Sequence, residues 1–215
     1  MSPRVAAPAP LRYQSTTGHP EAGLYAADRP EGMNRVLLAA LDSFAELGYR
    51  GTATRNITRR ANISAGGLYT HYASKQELLE TIMITSHVTL LESMRAAAAT
   101  TGPPAQRLRA VTRAHVEFHA RYSISATVCT RELHTLEGSS AASIHAMRDE
   151  IEQIVADILT EGTRTGDFSL EDPALVKRFV LSVGVDVSRW FHPEGPLSPE
   201  ELGERYADLI LRSVS

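Results

Sequence analysis

Residues 51–79, GTATRNITRRANISAGGLYTHYASKQELL, constrain this chain more than any other stretch. They hold two short helical segments, a tight turn and the opening of a long helix. Thr54 is placed to cap a first short helix ending near Ala61, with Ile57 and Ala61 four apart on one face. Asn62 falls at the break, where a residue that tolerates left-handed backbone is favoured. Ser64 then caps a second helix in which Leu68 and Tyr72 share a side, and Ser74 caps a third that opens at Lys75 and runs on through Leu78, Leu79 and Ile82. A short helix, a turn of a few residues and a second helix form a helix-turn-helix.

The charge pattern points to a polyanion. From Arg50 to Lys75 there are five basic residues (Arg50, Arg55, Arg59, Arg60 and Lys75) and no acid, in a chain whose net charge is −3. Residues 76–215 carry 13 basic and 20 acidic residues, a net of −7, and do not suit a nucleic-acid surface.

The run Ile63-Ser64-Ala65-Gly66-Gly67-Leu68-Tyr69-Thr70-His71-Tyr72-Ala73-Ser74-Lys75-Gln76-Glu77-Leu78-Leu79 resembles the DNA-binding signature of TetR-family transcriptional regulators. So does the helix before it, residues 36–48, with Ala39-Ala40, Phe44 and Gly48-Tyr49 in the family's order. The likeness covers roughly residues 33–80. Two departures stand out: Asn62 replaces a usual glycine, and Ala65 and Gly67 replace longer side chains that often reach base edges. The resemblance implies DNA contacts from Arg55, Ser64, Tyr69, His71, Tyr72 and Lys75. Tyr69, His71 and Lys75 suit phosphates, and Thr54 and Arg55 open the first short helix where backbone or a base edge is in reach. Ala65 and Gly67 let the recognition helix come close, with apolar contact to a thymine methyl as the available readout.

Elsewhere the chain reads as all-α, with no convincing alternation of period two. Residues 1–30 are rich in Pro, Ala, Gly, Ser and Thr and are expected to be a disordered arm. Arg4, Arg12 and Arg29 offer that arm a route to a DNA groove, but its net charge is only +1 and an inert tail is the expectation. A first helix spans about residues 31–47, with Val36, Leu37, Ala40 and Phe44 on its apolar face and Gly48 ending it. The expected domains are thus a 1–30 arm, a three-helix 31–75 helix-turn-helix domain, and a larger helical 76–215 domain for effector binding and dimerisation. In the last, helices are expected over about 75–99, 105–122 and 125–137, then from 140 to near Gly166, from Pro173 to Phe191, and after Ser198, which caps with Glu201.

No apolar run reaches the roughly 20 residues needed to span a bilayer, and prolines 3, 8 and 10 break any leader-like stretch. A single cysteine, Cys129, excludes an internal disulfide and fits a reducing compartment, so a cytoplasmic protein is expected. Eight histidines raise the question of a metal. His115 and His119 have the i, i+4 spacing of helical ligands, yet no acidic or cysteine partner follows at ligand spacing, and no Glu-x-x-His occurs. No metal, cofactor or catalytic residue is expected. A small-molecule pocket is better founded, because His115, Phe118, His119 and Tyr122 combine aromatic area with polar tips and face Met83 and His87 if neighbouring helices pack antiparallel. Asp186, among valines, reads as a partly buried acid.

The two C-terminal helices carry more apolar surface than one face needs. Val180, Leu181 and Val185 on one, and Leu202, Tyr206 and Leu209 on the other, are the candidate dimer contacts. The resemblance implies the same, since TetR-like proteins pair these helices into a four-helix interface. Residues 190–202, 206–209 and Thr130-Arg131-Glu132-Leu133 are similar to a TetR subset that senses acyl-CoA thioesters, which implies Arg131 as a cation near the pocket. The reading is a homodimeric, ligand-responsive repressor of an inverted-repeat operator in double-stranded DNA, its recognition helices about 34 Å apart. An effector-independent architectural DNA-binding protein and a helical-bundle enzyme are the alternatives.

Overall fold

The computed structural model describes residues 18–25 and 29–214, which are all-α with no strand among them. The chain divides into two compact units, 1–79 and 80–215, four residues beyond the expected boundary, because Leu78 and Leu79 are buried with the first unit. None of the described helices is long and apolar enough to cross a membrane.

The first unit contains α1 (Ala22–Tyr25), α2 (Glu31–Gly51), α3 (Thr54–Ala61), α4 (Ala65–Tyr69) and the start of α5 (Lys75–Ala98). Every residue of α2 from 36 to 41 is buried, more than the single apolar face read from the sequence. The segment before it supplies the cover. His19 and Tyr25 are buried, His19 Nδ1 accepts from the Glu21 amide at 3.0 Å, and its Nε2–H reaches Asp42 of α2 at 3.3 Å. Residues 18–25 therefore correct the expected 1–30 disordered arm: one aromatic and one histidine with complementary sites on α2 suffice to seat them. Arg29 donates to the Tyr25 carbonyl at 3.3 Å rather than standing free. Arg4 and Arg12 lie outside the described residues.

The start of α3 also differs from expectation. Thr54 is its first helical residue, not its cap; Ala53 precedes it, and the Asn56 side chain accepts the Ala53 amide at 3.0 Å. The other caps form as read. Ser64 Oγ accepts from Gly67 N at 3.1 Å, and Ser74 Oγ from Glu77 N at 3.0 Å. Asn62 sits in the left-handed region at φ 54° and ψ 48°. At α2's end, Gly48 interrupts the helix at φ 74°.

The second unit contains the rest of α5, then α6 (Pro104–Arg121), α7 (Ser123–Glu132), a 3-10 turn (Leu133–Thr135), α8 (Gly138–Thr165), α9 (Pro173–Trp190) and α10 (Pro199–Val214). Asp172 accepts the Ala174 and Leu175 amides at 3.0 Å, and Ser198 and Glu201 form a reciprocal cap. Helix α6 is central, packing against α7, α8, α9 and α10. Two glycines permit its close crossings. A Cβ at Gly203 would stand 3.3 Å from the Arg113 carbonyl of α6, and one at Gly184 would stand 2.0 Å from His115 Nδ1. Arg109 and Arg113 of α6 pair with Glu204 of α10, and Arg109 also with Asp208.

This packing corrects two expected dimer contacts. Val180 is 1% exposed, and Leu202 joins Val116, Ala120, Val187 and Phe191 in the unit's own core. Both face inward because α6 lies on that side. The large apolar residues left exposed on α9 and α10 are Leu175, Phe179, Trp190 and Leu209. Asp186, read as partly buried, is exposed.

Replacing Gly184 by Ala forces the His115 ring to move inside a filled interior. A loss of about 1–3 kcal/mol is expected, read as a lower urea midpoint at unchanged slope; an unchanged midpoint would mean the ring is free to swing away.

Candidate nucleic-acid interface and buried cavity

In the first unit, Leu68 anchors α4 in the core while Ser64, Ala65, Gly66, Tyr69 and Thr70 are exposed. Neither Gly66 nor Gly67 has positive φ. A Cβ on Gly66 would meet only Ser64 Oγ at 3.9 Å, and one on Gly67 would make contacts of 3.4 Å or longer. The unit's interior thus does not require glycine at either position, and the exposed start of α4 carries little side-chain bulk. Gly66 and Thr70 belong to this face and were not among the residues read from the sequence; their i+1 and i+5 places after Ala65 were the available signal.

The basic cluster proves partly structural. Arg60 is buried and donates to both Glu46 oxygens at 2.6 Å, with Asp42 at 3.8 Å. Lys75 Nζ donates to the Tyr49 carbonyl at 2.8 Å and the Thr52 carbonyl at 2.9 Å, and lies 4.2 Å from the centre of the Tyr49 ring. These carbonyls end α2, so the ammonium closes that terminus. Its ammonium is engaged within the protein, which corrects the reading of Lys75 as a phosphate cation alone. Tyr72 is likewise corrected. It is 3% exposed, its hydroxyl reaching the Met33 carbonyl at 3.5 Å, and burial pushes its pKa up. Arg50, Arg55 and Arg59 remain exposed, and half-buried His71 rests against Gly32 of α2.

In the second unit a cavity of about 630 Å³, counting its open mouth, lies between α5, α6, α7, α8 and α9. His87, His115, Phe118 and His119 line it, as do Leu181 and Val185, which were expected at a dimer surface. Four apart on α9, the two share the half-buried face that borders this cavity and the recess outside it. Met83 and Tyr122 do not line the chamber. Met83 is fully buried, and Tyr122 sits at the corner between α6 and α7, its ring edge-on to Phe118 at 5.2 Å. Ser86 of α5, Cys129 of α7 and Arg148 of α8 were missed as lining residues, since the sequence does not show which side of each helix turns to the cavity.

The chamber's mouth, at Arg148 and Glu152, is shared with an outer recess of about 1670 Å³. Arg131, Lys177, Arg178 and Arg189 line that recess, so Arg131 belongs to the outer space and not the inner one. Cations outnumber the two acids there, Glu152 and Asp186, inside a unit of negative net charge.

The histidines are buried and neutral. Nδ1 of His87 donates to the Met83 carbonyl and Nδ1 of His119 to the His115 carbonyl, each at 2.8 Å. Burial lowers all three pKa values: His87 is shifted down, His115 well down with His119 and Arg148 adding to it, and His119 to about 4. His115 Nδ1 has no hydrogen-bond partner. Among the described residues, no group of three or more His, Cys, Asp or Glu is arranged to hold a metal.

Both halves match family models. The model for bacterial regulatory proteins of the tetR family matches residues 36–82, and the one for the Tetracyclin repressor-like C-terminal domain matches residues 101–214. The chain belongs to the TetR family. It is 28% identical over 182 residues to the HTH-type transcriptional repressor KstR2 of Mycobacterium tuberculosis, covering 84% of this chain and 91% of the relative. The solved structure of that ketosteroid transcriptional regulator superposes with a TM-score of 0.80 over 85% of this chain and 94% of the other, at 27% identity. A tetR-family regulatory protein from Rhodococcus RHA1 superposes with a TM-score of 0.78 at 32% identity, covering 87% of this chain and 98% of the other. AibR, solved with isovaleryl coenzyme A and operator DNA, has the same fold, with a TM-score of 0.72 at 24% identity over 86% and 98% of the two chains.

Two tests address this TetR-family geometry. Lys75→Ala removes the closure of α2 and is expected to lower stability by about 1–2 kcal/mol in the absence of DNA, measured by chemical denaturation; no loss would return Lys75 to a DNA role alone. For the histidines, the unfolded chain binds protons near pH 6.5 while folded His119 resists them until about 4. Stability is therefore expected to be full above pH 6.5 and to fall as pH drops toward 4, by up to roughly 3 kcal/mol for His119 at about 1.4 kcal/mol per pKa unit. His119→Gln should flatten that slope, and an unchanged slope would show that His119 does not contribute to it.

Proposed function

We propose that this regulator is a homodimeric repressor that binds an inverted-repeat operator and is released by an acyl-CoA thioester. The observation that carries the proposal is the pairing of a largely apolar inner chamber with a cationic outer recess through one mouth. An acyl group needs the first, and the phosphates of its nucleotide end need the second. Arg131, Arg178 and Arg189 provide planar donors for those phosphates, and Phe118 and Leu181 provide apolar wall. The likeness to the repressor KstR2, and the presence of isovaleryl coenzyme A in a protein of this fold, agree with it.

For DNA, the exposed start of α4 bears small residues that permit close approach, with Ser64 and Tyr69 as hydrogen-bond donors and Thr54 and Arg55 at the start of α3. His71 reaches phosphate from the end of α4. Two recognition helices must be held about one helical turn of DNA apart, which needs a dimer. Leu209 of α10, with Phe179 of α9, provides its contact in place of the inward Val180 and Leu202, while Tyr206, read from the sequence as a contact, is half-buried against the core cluster that holds Leu202. Repression is relieved when the ligand binds a dimer of different spacing more tightly than the DNA-bound one.

Titrating a medium-chain acyl-CoA into an operator complex is expected to release DNA at micromolar concentration, while free CoA, lacking the apolar anchor, releases it poorly. Arg131→Ala should weaken the response several-fold with unliganded operator affinity unchanged. Absence of acyl-CoA binding by calorimetry would sink the effector assignment and leave the DNA-binding reading intact. Leu209→Asp places a charge in the exposed apolar patch, so sedimentation should give monomer with the fold retained; a persistent dimer would move the interface elsewhere.

A further inference from the structure

The inner wall of the chamber presents an unusual set of polar atoms. A carbonyl oxygen only accepts, so the Nδ1 atoms of His87 and His119 must carry their protons. In a neutral ring the Nε2 atom is then a bare acceptor. The hydrogen bonds of both rings run through Nδ1, and both rings, about 95% buried, line the cavity, onto which Nε2 opens. His115, one turn before His119 on α6, has an unpartnered Nδ1. The other polar side chains on the wall are Ser86, whose hydroxyl donates to the Ile82 carbonyl at 2.8 Å, Cys129 and Thr130. The charged side chains, Arg148 and Glu152, are exposed and stand at the mouth. An acceptor on the wall of a largely enclosed cavity favours a ligand that donates to it over one of the same shape that cannot.

We infer that the inner chamber takes an acyl end bearing a hydroxyl group, whose one proton is accepted by Nε2 of His119. The inference rests on the effector reading given above and adds the chemistry of the buried end. A carboxylate is disfavoured at the same place, because it has no proton to donate and would be buried without a counter-charge. A plain alkyl end fits by shape but donates nothing to His119.

The test compares hexanoyl-CoA, 6-hydroxyhexanoyl-CoA and adipoyl-CoA by calorimetry on the full-length protein. The hydroxylated thioester is expected to bind about 3- to 10-fold more tightly than hexanoyl-CoA, the worth of one buried hydrogen bond. Adipoyl-CoA should be weaker than either. His119→Phe, which removes one acceptor, should shrink the hydroxyl's advantage, and His119→Gln, which keeps one, should retain most of it. Equal affinity for the first two thioesters overturns the inference while leaving acyl-CoA as the effector class, and so does a full advantage in the Phe variant. Nitrogen-15 spectra of the histidines give a ligand-free check: an Nε2–H tautomer for His119 would overturn it. If no thioester binds, the acyl-CoA reading fails by itself. The same spectra then decide the inference with 1-hexanol against 1-methoxyhexane. A shift of Nε2 with the alcohol alone supports it, and no shift, or an equal shift with both, defeats it.

Discussion

The second unit depends on how closely α9 and α10 approach α6. Gly184 and Gly203 carry no Cβ where one would meet His115 and the Arg113 backbone, so three helices pack at a separation that larger residues would not permit. Helix α6 is left with two different faces. Toward α10 it presents Arg109 and Arg113, paired with Glu204 and Asp208, and Val116 and Ala120, which enter the apolar cluster. Toward α5, α7, α8 and α9 it presents histidines to a cavity. The exposed arginine pairs contribute modestly, about 0–1 kcal/mol each by general experience. The apolar cluster and the glycine crossings hold the chamber's shape.

The first unit shows how charge is divided between folding and contact. A cluster of five cations suggests a surface for a polyanion, yet Arg60 neutralises two acids of α2 and Lys75 closes the end of that helix. What stays exposed is smaller: Arg50, Arg55 and Arg59 beside a short α4 with little side-chain bulk. A residue can share a motif's position and still be committed to the interior. Tyr72 is the clearest case, since the i+4 relation to Leu68 that puts both on one face also carries both into the core.

The sequence alone determined the elements that local chemistry controls. Ser64, Ser74, Asp172 and Ser198 cap helices through bonds spanning two or three residues, and Asn62 takes a left-handed conformation available to few side chains. Those signals lie within one turn of chain, so the helix-turn-helix, the all-α class and the TetR resemblance were legible. His87, His115, Phe118 and His119 were legible as a pocket because aromatic and polar groups share one helical stripe. Tertiary structure decided which face of each helix met which neighbour. Val180 and Leu202 became core, Leu181 and Val185 cavity wall, and Leu209 remained exposed, although all five read alike as apolar stripe. It also decided that residues 18–25 cover α2, through a His19–Asp42 contact across 23 positions. Arg148 reached the chamber's mouth in the same way, from a helix distant in sequence from the histidines. Periodicity fixes the angle between side chains on one helix, while their partners depend on how separate helices cross, and that is set by packing among residues far apart in the chain.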